Sequence, residues 1–94
     1  MSVSLDQFRA KLVVKILYAH SAAETERFVR AAIKGMEKRK VNGYITIRFI
    51  DRVINQISTL NFLKTTQEQY NNIMAATSTL SSIKECINIP MASV

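Results

Sequence analysis

Residues 44–63, YITIRFIDRVINQISTLNFL, constrain the fold of this chain more than any other stretch. Placed on a helix, Ile47, Ile50, Ile54 and Ile57 recur at i, i+3, i+7 and i+10, and Val53 and Leu60 widen the stripe they form. Arg48, Asp51, Arg52, Asn55 and Thr59 fall on the opposite side. A helix so divided is stable only when other helices cover its apolar face, so this segment is expected to be the buried organiser of an all-α domain.

The rest of the chain supplies the covering helices. Ser4 followed by Gln7 forms a capping-box pattern, in which a hydroxyl and a carboxamide each satisfy a free backbone N–H at a helix start. From there Leu5, Phe8, Leu12, Ile16 and Ala19 keep helical spacing to about His20, and Val13 and Leu17 broaden the apolar side. Ser21 with Glu24 repeats the capping pattern. The stripe beyond it, Phe28, Val29, Ala32, Ile33 and Met36, is out of phase with the first, which argues for a break near residues 20 and 21 against the alternative of one long helix to residue 40. Asn42-Gly43 is expected to end the second helix, with Gly supplying a left-handed cap. The same dipeptide is a strong hairpin signal. The arm before it, Lys38-Arg39-Lys40-Val41, has no alternating apolar face to bury, so the helical reading is kept with one or two extended residues at Tyr44 and Ile45.

After a short connection at Phe62, Leu63 and Lys64, capping boxes at Thr65 with Glu68 and Thr66 with Gln69 start a last helix. Its apolar side is read as Tyr70, Ile73, Thr77, Leu80, Ile83 and Ile87, and Pro90 ends it because the residue before a proline is pushed out of helical geometry. The expected fold is an antiparallel four-helix bundle with helices at roughly 4–20, 21–40, 45–61 and 66–88, a single domain over residues 1–94 with a short tail at 89–94. With 94 residues, two glycines and one proline, the chain has room for one core and few interruptions.

Charge separates the two halves. The whole excess of +6 lies in residues 1–52, while the remainder balances. On the second helix Arg27, Arg30, Lys34 and Lys38 recur at i, i+3, i+7 and i+11 opposite the apolar stripe, extended by Arg39 and Lys40. These six form the candidate anion or partner surface. Such a face suits a phosphate backbone or an anionic lipid surface, but also plain solvation helped by pairs such as Glu24 with Arg27 and Glu26 with Arg30. Nucleic acid is not favoured, because no DNA- or RNA-binding signature is present and no aromatic residues alternate with the cations. A second candidate surface is Val14 with Tyr18, apolar residues almost opposite the main stripe of the first helix, beside Lys11 and Lys15. They suggest self-association as a homodimer.

No catalytic, cofactor or metal set emerges. His20 stands alone and is read as a helix-terminus residue, and Cys86 as a small apolar filler at the core or its edge. The seven acids are scattered and there is no Gly-rich phosphate loop. Gly35 is read as tolerated on the exposed side near Arg27 and Lys38. Arg9 lies within the apolar side of the first helix and must reach outward or pair, with Asp51 or Glu68 as partners. No segment approaches the roughly 18 apolar residues of a membrane span, and one cysteine with no secretory signal fits a cytoplasmic protein. The expected function is that of a non-enzymatic interaction or adaptor protein acting through protein contacts.

Overall fold

Four helices, α1 (Leu5–Leu17), α2 (Ala22–Lys38), α3 (Gly43–Leu60) and α4 (Gln67–Cys86), pack into an all-α bundle in the computed structural model, which describes residues 4–60 and 66–87. The Phe62 to Lys64 connection, the Thr65 cap, the last predicted residue of α4, Pro90 and the 89–94 tail lie outside the described residues.

The helix starts follow from side-chain caps. Ser4, Ser21 and Thr66 have extended backbones, and their hydroxyls accept from the N–H groups of Gln7, Glu24 and Gln69. At Thr66 the Gln69 side chain accepts in return from the Thr66 N–H, completing the box. At Ser21 the returning carboxylate of Glu24 instead accepts from the His20 N–H at 2.9 Å, fixing the corner between α1 and α2. The break expected there is present, although α1 ends at Leu17, earlier than the spacing suggested.

The α2 to α3 connection differs from its sequence reading. The left-handed residue is Lys40, with φ 57°, not Gly43. The N–H of Lys40 donates to the Glu37 carbonyl and that of Val41 to the Met36 carbonyl, the crossed pair of a Schellman cap. Val41, half-buried against the core that holds Met36, supplies the apolar contact that goes with it. Asn42 then caps α3, its side-chain oxygen accepting from the Tyr44 N–H at 2.7 Å and its backbone carbonyl from the Thr46 N–H. Gly43, Tyr44 and Ile45 are therefore helical rather than extended, because the Asn42 cap closes the first turn around them.

The core is built from Leu12, Val13 and Ile16 of α1, Val29, Ile33 and Met36 of α2, Phe49, Ile50, Val53 and Ile57 of α3, and Ile73, Ala76 and Leu80 of α4. On α3 the buried stripe is rotated from the predicted one. Ile50, Val53 and Ile57 hold its centre as expected, but Phe49 and Thr46 are buried while Ile47 and Ile54 sit at the edge. The cause is Phe8 of α1, whose ring lies 5.6 Å from that of Phe49 and draws the aromatic inward. On α4, Tyr70 is exposed and Thr77 half-buried, whereas Asn72, Ala76 and Thr79 are buried beside Ile73 and Leu80. These smaller residues let α4 approach all three other helices closely, most extensively α2, so α4 shares the organising role expected of α3. By contrast α2 and α3, though consecutive, scarcely touch.

Asn72 is the one long-range polar tie in this interior among the described residues. Its side-chain N–H donates to the Ala19 carbonyl at 2.9 Å, with Asn72 1% and Ala19 1% exposed. The bond satisfies a carbonyl that the end of α1 leaves without a helical partner. The other long-range polar pairs lie nearer the surface. Arg9 pairs with Asp6 at 2.9 Å and donates to Gln56 at 3.2 Å rather than reaching Asp51 or Glu68. Asp51 is held by Lys84 at 2.7 Å, on the polar side of α3.

Two stability changes test this description. Replacing Lys40→Gly relieves a left-handed side chain and is expected to raise stability by about 1 kcal/mol, measured by urea unfolding. Asn72→Ala and the near-isosteric Asn72→Leu are both expected to cost about 2 kcal/mol, since each removes the donor to the buried Ala19 carbonyl. A loss confined to the smaller Ala variant would attribute the effect to volume instead.

Candidate functional site

Residues 18–21 turn α1 back on α2, and the two helices run antiparallel with a groove between their outer flanks. Its volume is about 420 Å³. The floor is apolar, formed by Phe8 and Leu12 of α1, Phe28, Ala32 and Met36 of α2, and Val41 of the following cap, with Leu5 at the open end. Helical spacing explains the arrangement. Leu5, Phe8, Leu12 and Lys15 follow one another at three or four residues on α1, as do Phe28, Ala32, Gly35 and Arg39 on α2, so each set forms one continuous wall.

Cations line both walls. Lys11 and Lys15 come from α1 and Arg39 from the end of α2, and among the described residues no Asp or Glu lines the groove. Lys15 stands at the end near the turn, its ammonium 5.6 Å from the centre of the Phe28 ring, and Arg39 stands at the other end beside Val41. Beyond the α2 wall, Ala31 of the groove is flanked on the helix surface by Arg27, Lys34 and Lys38, which share one row at i, i+7 and i+11. All three are exposed, and no ion pair engages any of them among the described residues. The Glu24 to Arg27 pair expected from spacing is absent because Glu24 holds the His20 N–H.

The structure thus divides the six cations that the sequence grouped together. Arg27, Lys34 and Lys38 are exposed on the outer surface of α2 beside Ala31 and do not line the groove, Arg39 lines it, and Lys40 occupies the left-handed cap. Arg30 lies toward the other side of α2, paired with Glu26 at 3.0 Å, and lines a second cavity with Glu37 between the ends of α2, α3 and α4. Cys86 lines this second cavity and is exposed, a correction to its reading as a packed filler. Its place at the last turn of α4 leaves it little to pack against. His20 is exposed at the corner after α1.

Val14 and Tyr18, 54% and 70% exposed, are uncovered as expected. They stand one turn apart on α1, with Lys11 and Lys15 between them and the groove floor, so they form its outer shoulder. The groove itself was not legible in the periodicity: Phe28 and Ala32 were counted into the core stripe, and Lys11 and Lys15 had no assigned role. Gly35, read as merely exposed, is half-buried in the α2 wall, and a Cβ built on it meets nothing within 4 Å. Among the described residues no group of His, Cys, Asp and Glu is placed to hold a metal ion, and no helix is long and apolar enough to cross a membrane. No protein family, curated protein or solved structure matches this chain.

Because the space before Gly35 is open, Gly35→Ala should gain the full helix-propensity difference of about 1 kcal/mol. Thermal unfolding of the two proteins reads this directly, and a lower midpoint for the Ala variant would mean that the groove wall is closed.

Proposed function

We propose that this chain is a non-enzymatic interaction protein of the cytoplasm, working through protein contacts made by the α1–α2 face. The observation that carries the proposal is the groove, an apolar trough of about 420 Å³ bordered by cations and, among the described residues, by no carboxylate. Apolar floors supply binding energy, and unneutralised charges around them select the partner and speed its approach. A partner with a negatively charged rim around an apolar patch is the complement of this surface.

Binding of nucleic acid or an anionic surface is the second reading, supported by the exposed row of Arg27, Lys34 and Lys38. The groove favours protein over it. A phosphate backbone has no use for an apolar floor, and the aromatic rings there are engaged, Phe8 against Phe49 and Phe28 beneath Lys15. Self-association through Val14 and Tyr18 would set two chains of net charge +6 face to face with Lys11 and Lys15 at the seam, which favours a different, acidic partner.

The test is a pull-down with the wild type beside a Lys11→Glu and Lys34→Glu double variant, with and without nuclease. A protein retained by the wild type after nuclease, lost from the variant, and bound directly when purified is the expected result. Material that disappears on nuclease treatment would transfer the function to nucleic acid. Equal recovery by both proteins would contradict a role for this face.

A further inference from the structure

The occupant of the groove can be specified from its shape and from the placement of its charges. We infer that the groove receives an acidic amphipathic α-helix of a partner protein, an inference that rests on the α1–α2 face being the binding surface. From Leu5 to Lys15 and from Phe28 to Arg39 the walls run for roughly 15 Å, the length of about three helical turns. Among the described residues only α1, α2 and the Val41 cap bound it, which makes it a trough open along one side. An amphipathic helix presents one apolar stripe to such a trough and keeps its other faces in water.

The charges discriminate between a helix and a single-headed amphiphile. A fatty acid or similar molecule carries its negative charge at one end and needs cations at one end of its site. Here Lys15 stands near the turn, Lys11 along the α1 wall and Arg39 at the far end, with the Arg27, Lys34 and Lys38 row along the outside of α2. Cations spread along both sides match acidic residues spread along both flanks of a helix, at the spacing where each flank residue meets the opposite wall. Close approach is also provided for. Ala31, Ala32 and Gly35 keep the α2 wall low, and the space before Gly35 is empty to at least 4 Å. A second copy of this chain offers no such acidic flanks among its described residues: Asp6, Glu26 and Asp51 are held in ion pairs, Glu24 holds the His20 N–H, Glu37 lines the second cavity, and Glu68 and Glu85 stand at opposite ends of α4.

The experiment titrates the whole chain into fluorescent synthetic peptides of about 14 residues, with Leu or Phe at i, i+4, i+7 and i+11 and Glu on both flanks. Scrambled peptides of equal composition, a DNA duplex, laurate and phosphatidylglycerol vesicles are measured alongside. The amphipathic peptides should bind at least tenfold more tightly than their scrambled versions. Gly35→Leu, which projects a side chain from a position with open space at its Cβ, should weaken binding at least tenfold while the helical spectrum is kept and the thermal midpoint is not lowered. Lys11→Glu with Arg39→Glu should abolish binding and recover it toward a peptide whose Glu residues are replaced by Lys.

Equal binding of scrambled peptides, or indifference to Gly35→Leu, would overturn the helix as occupant while leaving a charge-directed protein partner on this face intact. Laurate or vesicles binding in a Gly35-dependent manner, with no peptide binding, would replace it by a lipid. Duplex binding lost on the charge reversal, again without peptide binding, would overturn both this inference and the protein-partner reading in favour of nucleic acid. Absence of binding by every probe would overturn the inference alone, the pull-down then deciding the reading beneath it.

Discussion

The hydrogen bond from Asn72 to the Ala19 carbonyl holds the arrangement on which the rest depends. It joins α4, which like α1 contacts every other helix, to the corner where α1 turns into α2. That corner joins the two helices whose flanks line the groove. A buried carbonyl without a donor costs more than an ordinary hydrogen bond contributes, so the pairing selects one geometry of the corner over its neighbours. Around it, Ala76 and Thr79 keep α4 slim enough to touch three helices, and the core aliphatics fill what remains.

Much of the frame was legible in the chain because its signals are local. The Ser4, Ser21 and Thr66 caps each involve residues three positions apart, and the α3 stripe through Ile50, Val53 and Ile57 follows from 3.6-residue periodicity alone. The misreadings share a different origin, contacts between residues far apart in sequence. Phe49 is buried because Phe8 meets it from α1, and Asn72 because a carbonyl 53 residues earlier requires a donor. Lys40 in a left-handed conformation shows the same limit in miniature. Asn42-Gly43 marked the right connection, but the Schellman bonds and the contact of Val41 place the left-handed residue three positions earlier and leave Asn42 to cap α3.

The candidate site was legible in its parts and not in its assembly. The cations of α2 and the surplus apolar surface of Val14 and Tyr18 stood out along the chain, each on its own helix. What turns them into one surface is the antiparallel return of α1 against α2, which brings Lys11 and Lys15 opposite Ala31 and Gly35. Phe28 and Ala32, placed in the apolar stripe by period, pack against the core from its edge and also form the floor of the trough. Periodicity counts faces, and a groove lies between two of them. The division of the cations follows the same logic: Arg30, one residue off the row, turns to Glu26 and a different cavity.

The function drawn from this is a matter of which side of the molecule is left uncompensated. Asp6, Glu26 and Asp51 are each paired with a cation, whereas the α1–α2 groove keeps its positive charge around an apolar floor with no carboxylate among its described lining residues. The most direct measurement of that claim is paramagnetic broadening of the backbone amide resonances by an acidic amphipathic peptide carrying a spin label at one terminus. A helix seated along the groove broadens either the end near Lys15 and Phe28 or the end near Leu5 and Arg39, and moving the label to the other terminus exchanges the two. Broadening spread evenly over every cationic surface, Arg48 and Arg52 of α3 included, would show attraction by charge alone and contradict the account.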